Sequence, residues 1–216
     1  MKKNPQCFIS YCHEDIDRTL VDYLILVIQS VTGGRISFFY DDNLSAGENL
    51  HKFMAKTLEV DVALLLLTPS YKRKVDRHEG GAYREFQTIM ERYWTLEEKL
   101  KKEGRAEGAQ GAEHFAVIPV VLSGSIEDSL PKIIDHLLCA NLVGLAVSRD
   151  DAGQIIIPDF LKQRFSKELS RITDQIVAIY NLRTTAFLDS KKALWDTLFV
   201  NRKTTKELLK LLIFTR

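Results

Sequence analysis

Two unbroken apolar runs constrain the fold of this chain more than any other feature of its sequence. They are VALLLL, which begins at Val62, and FAVIPVVL, which begins at Phe115. A strand that is apolar at every position, rather than at alternate positions, is typical of a central strand with helices packed on both faces of a parallel sheet. The two runs therefore predict a sheet that is buried between two layers of helices.

Shorter runs complete the predicted sheet. The segments that indicate strands are residues 7–11, 36–40, 62–68, 115–122 and 142–147. Apolar residues recur at helical spacing over residues 20–31, 83–93, 130–138 and 160–179. This alternation of strand and helix predicts an α/β fold, with a five-stranded, doubly wound parallel sheet and helices on both faces.

Composition narrows the class of protein. With 216 residues and 45% hydrophobic content, the chain can bury one core and leave an extension. The net charge of +1 favours neither nucleic acid nor an anionic membrane as a direct partner, and no apolar run is long enough to span a bilayer. Cys7, Cys12 and Cys139 show neither the C-x-x-C spacing of a zinc site nor the even number of a disulfide framework. We therefore expect a cytoplasmic protein without a metal.

The end of the sequence predicts an extension. Residues 183–216 contain two more apolar helical patterns, around residues 194–199 and 208–214. These patterns have no place in a sheet that a long helix over residues 158–180 already closes. We expect a domain over residues 1–182, followed by a helical extension or a linker to a downstream region. Exposed apolar helices would need to dock, so the extension predicts contact with a sensor domain or another partner.

Polar and aromatic side chains collect where the predicted strands end. Ligands of an open parallel sheet bind beyond the carboxyl ends of its strands, where the strand order reverses. In the common order, which begins with the second strand, these side chains face a crevice between the first and third strands. They are Tyr11, Cys12 and His13 after the first strand, Asp41 and Asp42 after the second, and Thr68, Ser70 and Tyr71 after the third.

Glu85 is the acid that we single out at this crevice. The helical pattern that begins near Gly81 places it in the first turn, at the border between the apolar stripe and the crevice. A structural role would be to complement the helix dipole, which contributes about 0.3–1 kcal/mol. A functional role would be that of an ionised acid at a pocket wall, kept deprotonated by the same dipole.

Four segments together resemble the Toll/interleukin receptor (TIR) domain. FISYCHED, from Phe8, resembles the first box of the family, and DDNLSAG, residues 41–47, resembles the second box and its BB loop. LLLLTPSY, from Leu64, resembles the third strand running into Ser-Pro-x-Tyr. GAYREF, from Gly81, falls where NAD-cleaving members carry W-C-x-x-E, although Gly and Ala replace the Trp and Cys. The resemblance covers roughly residues 5–180.

The resemblance implies a flavodoxin-like sheet and, in the prokaryotic NAD-cleaving type, an enzyme that breaks the nicotinamide–ribose bond of NAD. NAD would be the substrate, with no cofactor, and activity would follow self-association through the loop of residues 41–47. Tyr11 or Tyr83 would stack on nicotinamide. The implied catalytic acid is Glu85, and the implied substrate-binding residues are Ser10, Tyr11, Cys12, His13, Asp41, Gly47 and Tyr83.

Three classes of function remain in competition. The first is an NAD glycohydrolase or ADP-ribose cyclase that serves as an immune or antiphage effector. The second is a non-catalytic TIR scaffold that only binds other TIR domains, which would not require Glu85. The third is a phosphoacceptor receiver domain of the same fold. The third strand ends in Thr68 and Pro69 rather than in the aspartate that a receiver phosphorylates, so the sequence disfavours this class.

Overall fold

Five parallel strands form the central sheet in the computed structural model, which describes residues 5–40, 58–102 and 115–200, with side chains as far as residue 179. The strand order β2-β1-β3-β4-β5 is the flavodoxin-like order. The predicted fold class and strand order are therefore confirmed. The strands are β1 (Gln6–Ser10), β2 (Ser37–Phe39), β3 (Val62–Leu67), β4 (Ala116–Val121) and β5 (Ala140–Asn141).

A short antiparallel pair of strands, β6 (Ser148–Arg149) and β7 (Ile155–Ile156), lies outside the central sheet.

Helices cover both faces of the central sheet. The helices are α1 (Arg18–Thr32), α2 (Pro69–Asp76), α3 (Gly80–Lys102), α4 (Ile126–Ser129) and α5 (Asp159–Val200), with a 3-10 turn at Lys132–Ile134.

The apolar run of β3 divides its side chains between two cores. Leu64 and Leu66 pack in the layer formed with α1 and α5. Leu65 and Leu67 pack in the layer formed with α2 and α3. Successive side chains of a strand point to opposite faces, so a strand covered on both sides is apolar throughout. This is the physical reason that the run of leucines predicts a central strand.

The fifth strand is not where the sequence predicts it. The expected strand over residues 142–147 is wrong, because β5 ends at Asn141. The side-chain oxygen of Asn141 accepts a hydrogen bond from the backbone N–H of Val143, at 3.0 Å, which forms an Asx turn. Gly144 then adopts φ +88°, a conformation that bends the chain away from the sheet.

The helix expected over residues 130–138 is also replaced, by α4 and the 3-10 turn. Pro131 disfavours helical backbone at the residue before it, and Leu130 is extended, with φ −86° and ψ 118°. Two apolar residues of the expected stripe are consequently left at the surface, where Ile133 is 49% exposed and Leu138 is 69% exposed.

The long helix α5 closes the layer that contains α1. Its buried residues recur at spacings of three or four, as the sequence predicts, but Phe160, at the start of the predicted pattern, is 68% exposed. The helix continues without a break to Val200. The predicted domain boundary at residues 182 and 183 falls inside this helix and remains a prediction. In the part of the chain that the structure describes, no helix is both long and apolar enough to cross a membrane. The buried residues of α5 are Leu161, Phe165, Leu169, Ile172 and Ile176.

Candidate functional site

The candidate site lies at the carboxyl ends of β1 and β3, where the strand order reverses. From β1 the chain leads to β2 on one side of the sheet, while β3 to β5 follow on the other. Ser10 is the last residue of β1 and pairs in register with Leu65 of β3. In α/β sheets of this kind, ligands bind beyond the strand ends at this position.

A buried polar cluster joins three elements at this point. The Ser10 hydroxyl donates a hydrogen bond of 2.6 Å to Oε2 of Glu85, on α3. The same Ser10 oxygen lies 3.0 Å from the phenol oxygen of Tyr71, on α2. Ser10 and Tyr71 are fully buried, and Glu85 is 5% exposed. Buried polar groups are costly unless hydrogen-bonded, so the three side chains fix one another in place.

The start of α2 holds Tyr71 in this cluster. Thr68 caps the helix by accepting a hydrogen bond of 3.1 Å from the backbone N–H of Tyr71, and Pro69 occupies the first turn. The Tyr71 ring meets Phe86 of α3 edge-on, with 6.4 Å between ring centroids. Burial raises the pKa of the Tyr71 phenol, and the nearby Glu85 charge raises it further, so Tyr71 is a neutral hydrogen-bond donor.

Glu85 lies deeper in the structure than the sequence indicates. Helix α3 begins at Gly80 and has no acid in its first turn, so the predicted first-turn position of Glu85 is wrong. Its carboxylate is buried in the second turn, where the influence of the helix dipole has fallen off. The hydrogen bond from Ser10 therefore replaces the dipole as the described contact that favours the charged carboxylate.

The loop after β1 separates its three predicted site residues. Tyr11 is buried among residues of α1 and α5, while Cys12 is buried in the opposite layer, with α2 and α3. His13 is exposed, and its ring lies 4.5 Å from that of Tyr11. The structure therefore places Cys12 in the same layer as Tyr71, but puts Tyr11 on the other face of the sheet.

Basic side chains of α2 approach the same loop. The Lys74 ammonium lies 2.9 Å from the carboxylate of Glu14, and the Arg73 guanidinium lies 3.6 Å from it. The pKa of Lys74 is raised, chiefly by its hydrogen bond to Glu14. All three side chains are partly exposed, so these ion pairs contribute little stability. They nevertheless bring α2 against the loop that leads away from Ser10.

Tyr83 lies apart from the cluster of Ser10, Tyr71 and Glu85. It precedes Glu85 by two positions on α3, which separates their directions by about 200° around the helix axis. Its ring stacks on His78, with 4.6 Å between centroids and 25° between planes. The backbone of His78 has φ 59°, in the left-handed region. Asp41 and Gly47, the other two predicted site residues, lie outside the described residues.

Tyr83 and His78 line a groove of about 630 Å³ between α2, α3 and the 3-10 turn. Phe86 and Met90 contribute apolar side chains to it, and Trp94 lies at one end of the lining along α3. Phe86 and Met90 fall within the apolar helical pattern of residues 83–93, and Trp94 follows it. Helical periodicity does not distinguish a groove from a core, so the pattern does not predict this groove.

Tyr71 is the site residue that sequence reasoning undervalues. The sequence places it at the crevice, but does not predict its contact with Ser10, from which it is separated by 61 positions. The sequence signals for Tyr71 are its spacing from Thr68, which fits a capped first turn, and its place in the segment that resembles Ser-Pro-x-Tyr. Within residues 5–40, 58–102 and 115–200, no group of three or more His, Cys, Asp and Glu side chains could hold a metal ion.

Solved structures similar to this chain include the following two. One is described as the crystal structure of a prokaryotic SEFIR domain, with a TM-score of 0.40 and 15% identity, over 76% of this chain and 98% of that one. The other contains the TIR domains of the activated Roq1 resistosome recognising the pathogen effector XopQ, with a TM-score of 0.39 and 16% identity, over 84% of this chain and 82% of that one. No protein-family model matches the chain, and no curated protein matches it. Neither structural similarity bears on the chemistry of the site, which rests on the residues described above.

Proposed function

We propose that this chain is a TIR-type domain that cleaves the nicotinamide–ribose bond of NAD, as a glycohydrolase or an ADP-ribose cyclase. One observation carries the proposal. The carboxylate of Glu85 is fixed by Ser10 at the carboxyl end of β1, at the reversal point of the sheet, which is where a ligand crevice is expected. A buried carboxylate held in one orientation at such a crevice suits electrostatic catalysis.

The proposed role of Glu85 follows from the charge that develops during the reaction. Nicotinamide leaves as a neutral base, so the transition state carries positive charge on the ribose. A fixed carboxylate stabilises that charge without reorienting, and in a site with little water the stabilisation is larger than in bulk solvent. A carboxylate offers about four acceptor positions, so accepting a hydrogen bond from Ser10 is compatible with binding ribose hydroxyls as well.

The burial of Glu85 supports activation by assembly. Only 5% of the residue is exposed in the single chain, so a substrate reaches the carboxylate only if the crevice opens. We propose that self-association through residues 41–47 opens or completes it. The chain would then be an immune or antiphage effector of the cytoplasm, which depletes NAD when a sensor domain or partner bound to the extension, residues 183–216, triggers assembly.

The same burial favours a second candidate, a TIR scaffold that assembles without catalysis. A carboxylate that accepts a hydrogen bond in a closed interior has the features of a purely structural group. In that case Ser10, Tyr71 and Glu85 would hold α2 and α3 against β1, and the function would reside in contacts between domains.

Substitution of Glu85 by glutamine separates the two candidates. Glu85→Gln preserves size and hydrogen-bonding capacity but removes the charge, so we expect nicotinamide release to fall by about a hundredfold or more. Glu98→Gln is the matched control, because Glu98 lies on the same helix, exposed, beside Lys102. Nicotinamide release is followed by chromatography at high protein concentration.

If the protein is a non-catalytic scaffold, Glu85→Gln should have no effect on NAD. Equal turnover by folded Glu85→Gln, Glu98→Gln and wild-type proteins would remove Glu85 from the chemistry. Absence of any NAD cleavage by assembled wild-type protein would favour the scaffold.

A further inference from the structure

We propose that Tyr71 is a positioning residue, which orients the Glu85 carboxylate through Ser10 by a hydrogen-bond chain that runs in one direction. The role in catalysis rests on the proposed NAD cleavage, whereas the chain itself can be tested without it. The three oxygens come from α2, β1 and α3, so the chain also couples three elements at the carboxyl end of β1.

The direction of the chain follows from counting protons. An ionised carboxylate can only accept, so the single hydroxyl proton of Ser10 is donated to Oε2 of Glu85, at 2.6 Å. The Ser10 oxygen can then only accept from Tyr71, at 3.0 Å. Tyr71 has one proton to give and keeps it, because burial raises the pKa of its phenol. Each donor is therefore used once, from Tyr71 to Ser10 to Glu85.

The surroundings hold the first member of this chain still. The backbone N–H of Tyr71 is bonded to the Thr68 cap, its ring packs edge-on against Phe86, and none of the residue is exposed. Cys12, from the loop after β1, packs in the same layer, and like Glu85 it is a titratable group that raises the pKa of the Tyr71 phenol. A phenol fixed in this way restricts the rotation of the Ser10 hydroxyl, which would otherwise turn between acceptors.

The consequence is a carboxylate whose plane is fixed before substrate binds. Successive hydrogen bonds polarise one another, so donation by Tyr71 strengthens the bond from Ser10 to Glu85. Loss of the Tyr71 hydroxyl should then weaken stabilisation of the transition state more than binding of the ground state. The proposed effect is on kcat, with little effect on KM.

Tyr71→Phe tests this role, since it removes one oxygen and leaves the ring in place. We expect kcat for NAD cleavage to fall about three- to tenfold, the size of one neutral hydrogen bond, with KM within about twofold of wild type. Tyr23→Phe is the control on α1, where the ring is partly buried and lies outside the cluster of Ser10, Tyr71 and Glu85, and should leave both constants unchanged. A change confined to KM, or an equal loss in Tyr23→Phe, would overturn the positioning role.

A double-mutant cycle with Ser10→Ala shows whether Tyr71 acts through Ser10. In the Ser10→Ala background, Tyr71→Phe should cost no further kcat, because the chain is already broken. Its effect on thermal stability should also disappear or reverse, since the phenol has lost its described acceptor. Additive effects of the two substitutions on both kcat and thermal stability would refute the hydrogen-bond chain.

The stability cycle keeps the two proposals separate. If the effects of the two substitutions on the melting temperature are coupled and the wild-type protein is inactive, the hydrogen-bond chain is supported and NAD cleavage is refuted. If the two changes in melting temperature are additive and the wild-type protein is active, the hydrogen-bond chain is refuted and the proposal of NAD cleavage is retained.

Discussion

Substituting Gly124 by alanine should destabilise the protein for two reasons, backbone strain and overpacking. Gly124 follows β4 and has φ +72°, where a side chain is strained. A Cβ atom there would lie 2.7 Å from Cγ of Pro69 and 2.9 Å from Oγ of Ser129. The proline ring begins α2 and cannot rotate away, so the loop or the helix must shift.

The expected magnitude follows from these two contributions. The left-handed backbone conformation costs roughly 1–2 kcal/mol for an L-residue. Overpacking of a closely packed contact adds about 1–3 kcal/mol. We therefore expect Gly124→Ala to lower the free energy of unfolding by about 2–5 kcal/mol.

Gly153→Ala is the matched control for this measurement. Gly153 has a similar φ of +76°, but a Cβ atom there would have no neighbour within 4 Å. Urea unfolding of both variants should show that Gly124→Ala loses about 1–3 kcal/mol more than Gly153→Ala. Equal losses of unfolding free energy in the two variants would show that the loop after β4 does not pack against Pro69. That result would contradict the packing described for α2 and Tyr71.

Three further predictions concern stability and assembly. Burial, and then the charge of Asp61, raise the pKa of Cys7 from 9.0 to about 12. The folded state thus retains a proton that the unfolded state loses, so the contribution of Cys7 to stability should be constant below pH 9 and fall above it, by roughly 3 kcal/mol at pH 11. Urea unfolding at pH 8 and pH 11 should show a smaller loss in Cys7→Ala, and an identical loss would exclude this thiol as a cause. The rate of NAD cleavage per chain should rise with protein concentration as assembly becomes visible by light scattering, whereas a constant rate from dilute to concentrated protein would refute activation by assembly. Deletion of residues 184–216 should leave a cooperative thermal transition, because the described buried face of α5 ends at Ile176, and loss of that transition would place the extension in the core.

The central strands could be predicted from the sequence because their burial leaves a local signature. Every side chain of β3 is buried, so the run is apolar at each position and no longer-range information is needed to recognise it. The strand β5 has only two residues, and the turn at Asn141 that ends it competes with an apolar stretch that continues to Val147. Short edge strands of this kind are decided by turn chemistry rather than by periodicity.

The sequence predicts the strand ends at which the candidate site lies, but not the contacts among its residues. The helical pattern also places Glu85 in the first turn of α3, whereas the structure has no acid in that turn. The hydrogen bond between Ser10 and Glu85 joins residues 75 positions apart, and the contact depends on how α3 packs on β1. Sequence spacing contains no measure of that packing, so the burial of Glu85 and the part played by Tyr71 required the structure.

The most direct test of the account is the number of nicotinamide molecules that each chain releases from NAD. Wild-type protein is brought to high concentration, or fused to an oligomer that forces assembly, and nicotinamide and ADP-ribose products are quantified by chromatography over time. The account predicts many molecules released per wild-type chain, and a rate lower by about a hundredfold or more in Glu85→Gln protein that assembles equally well. Assembled wild-type protein that leaves NAD intact would contradict it.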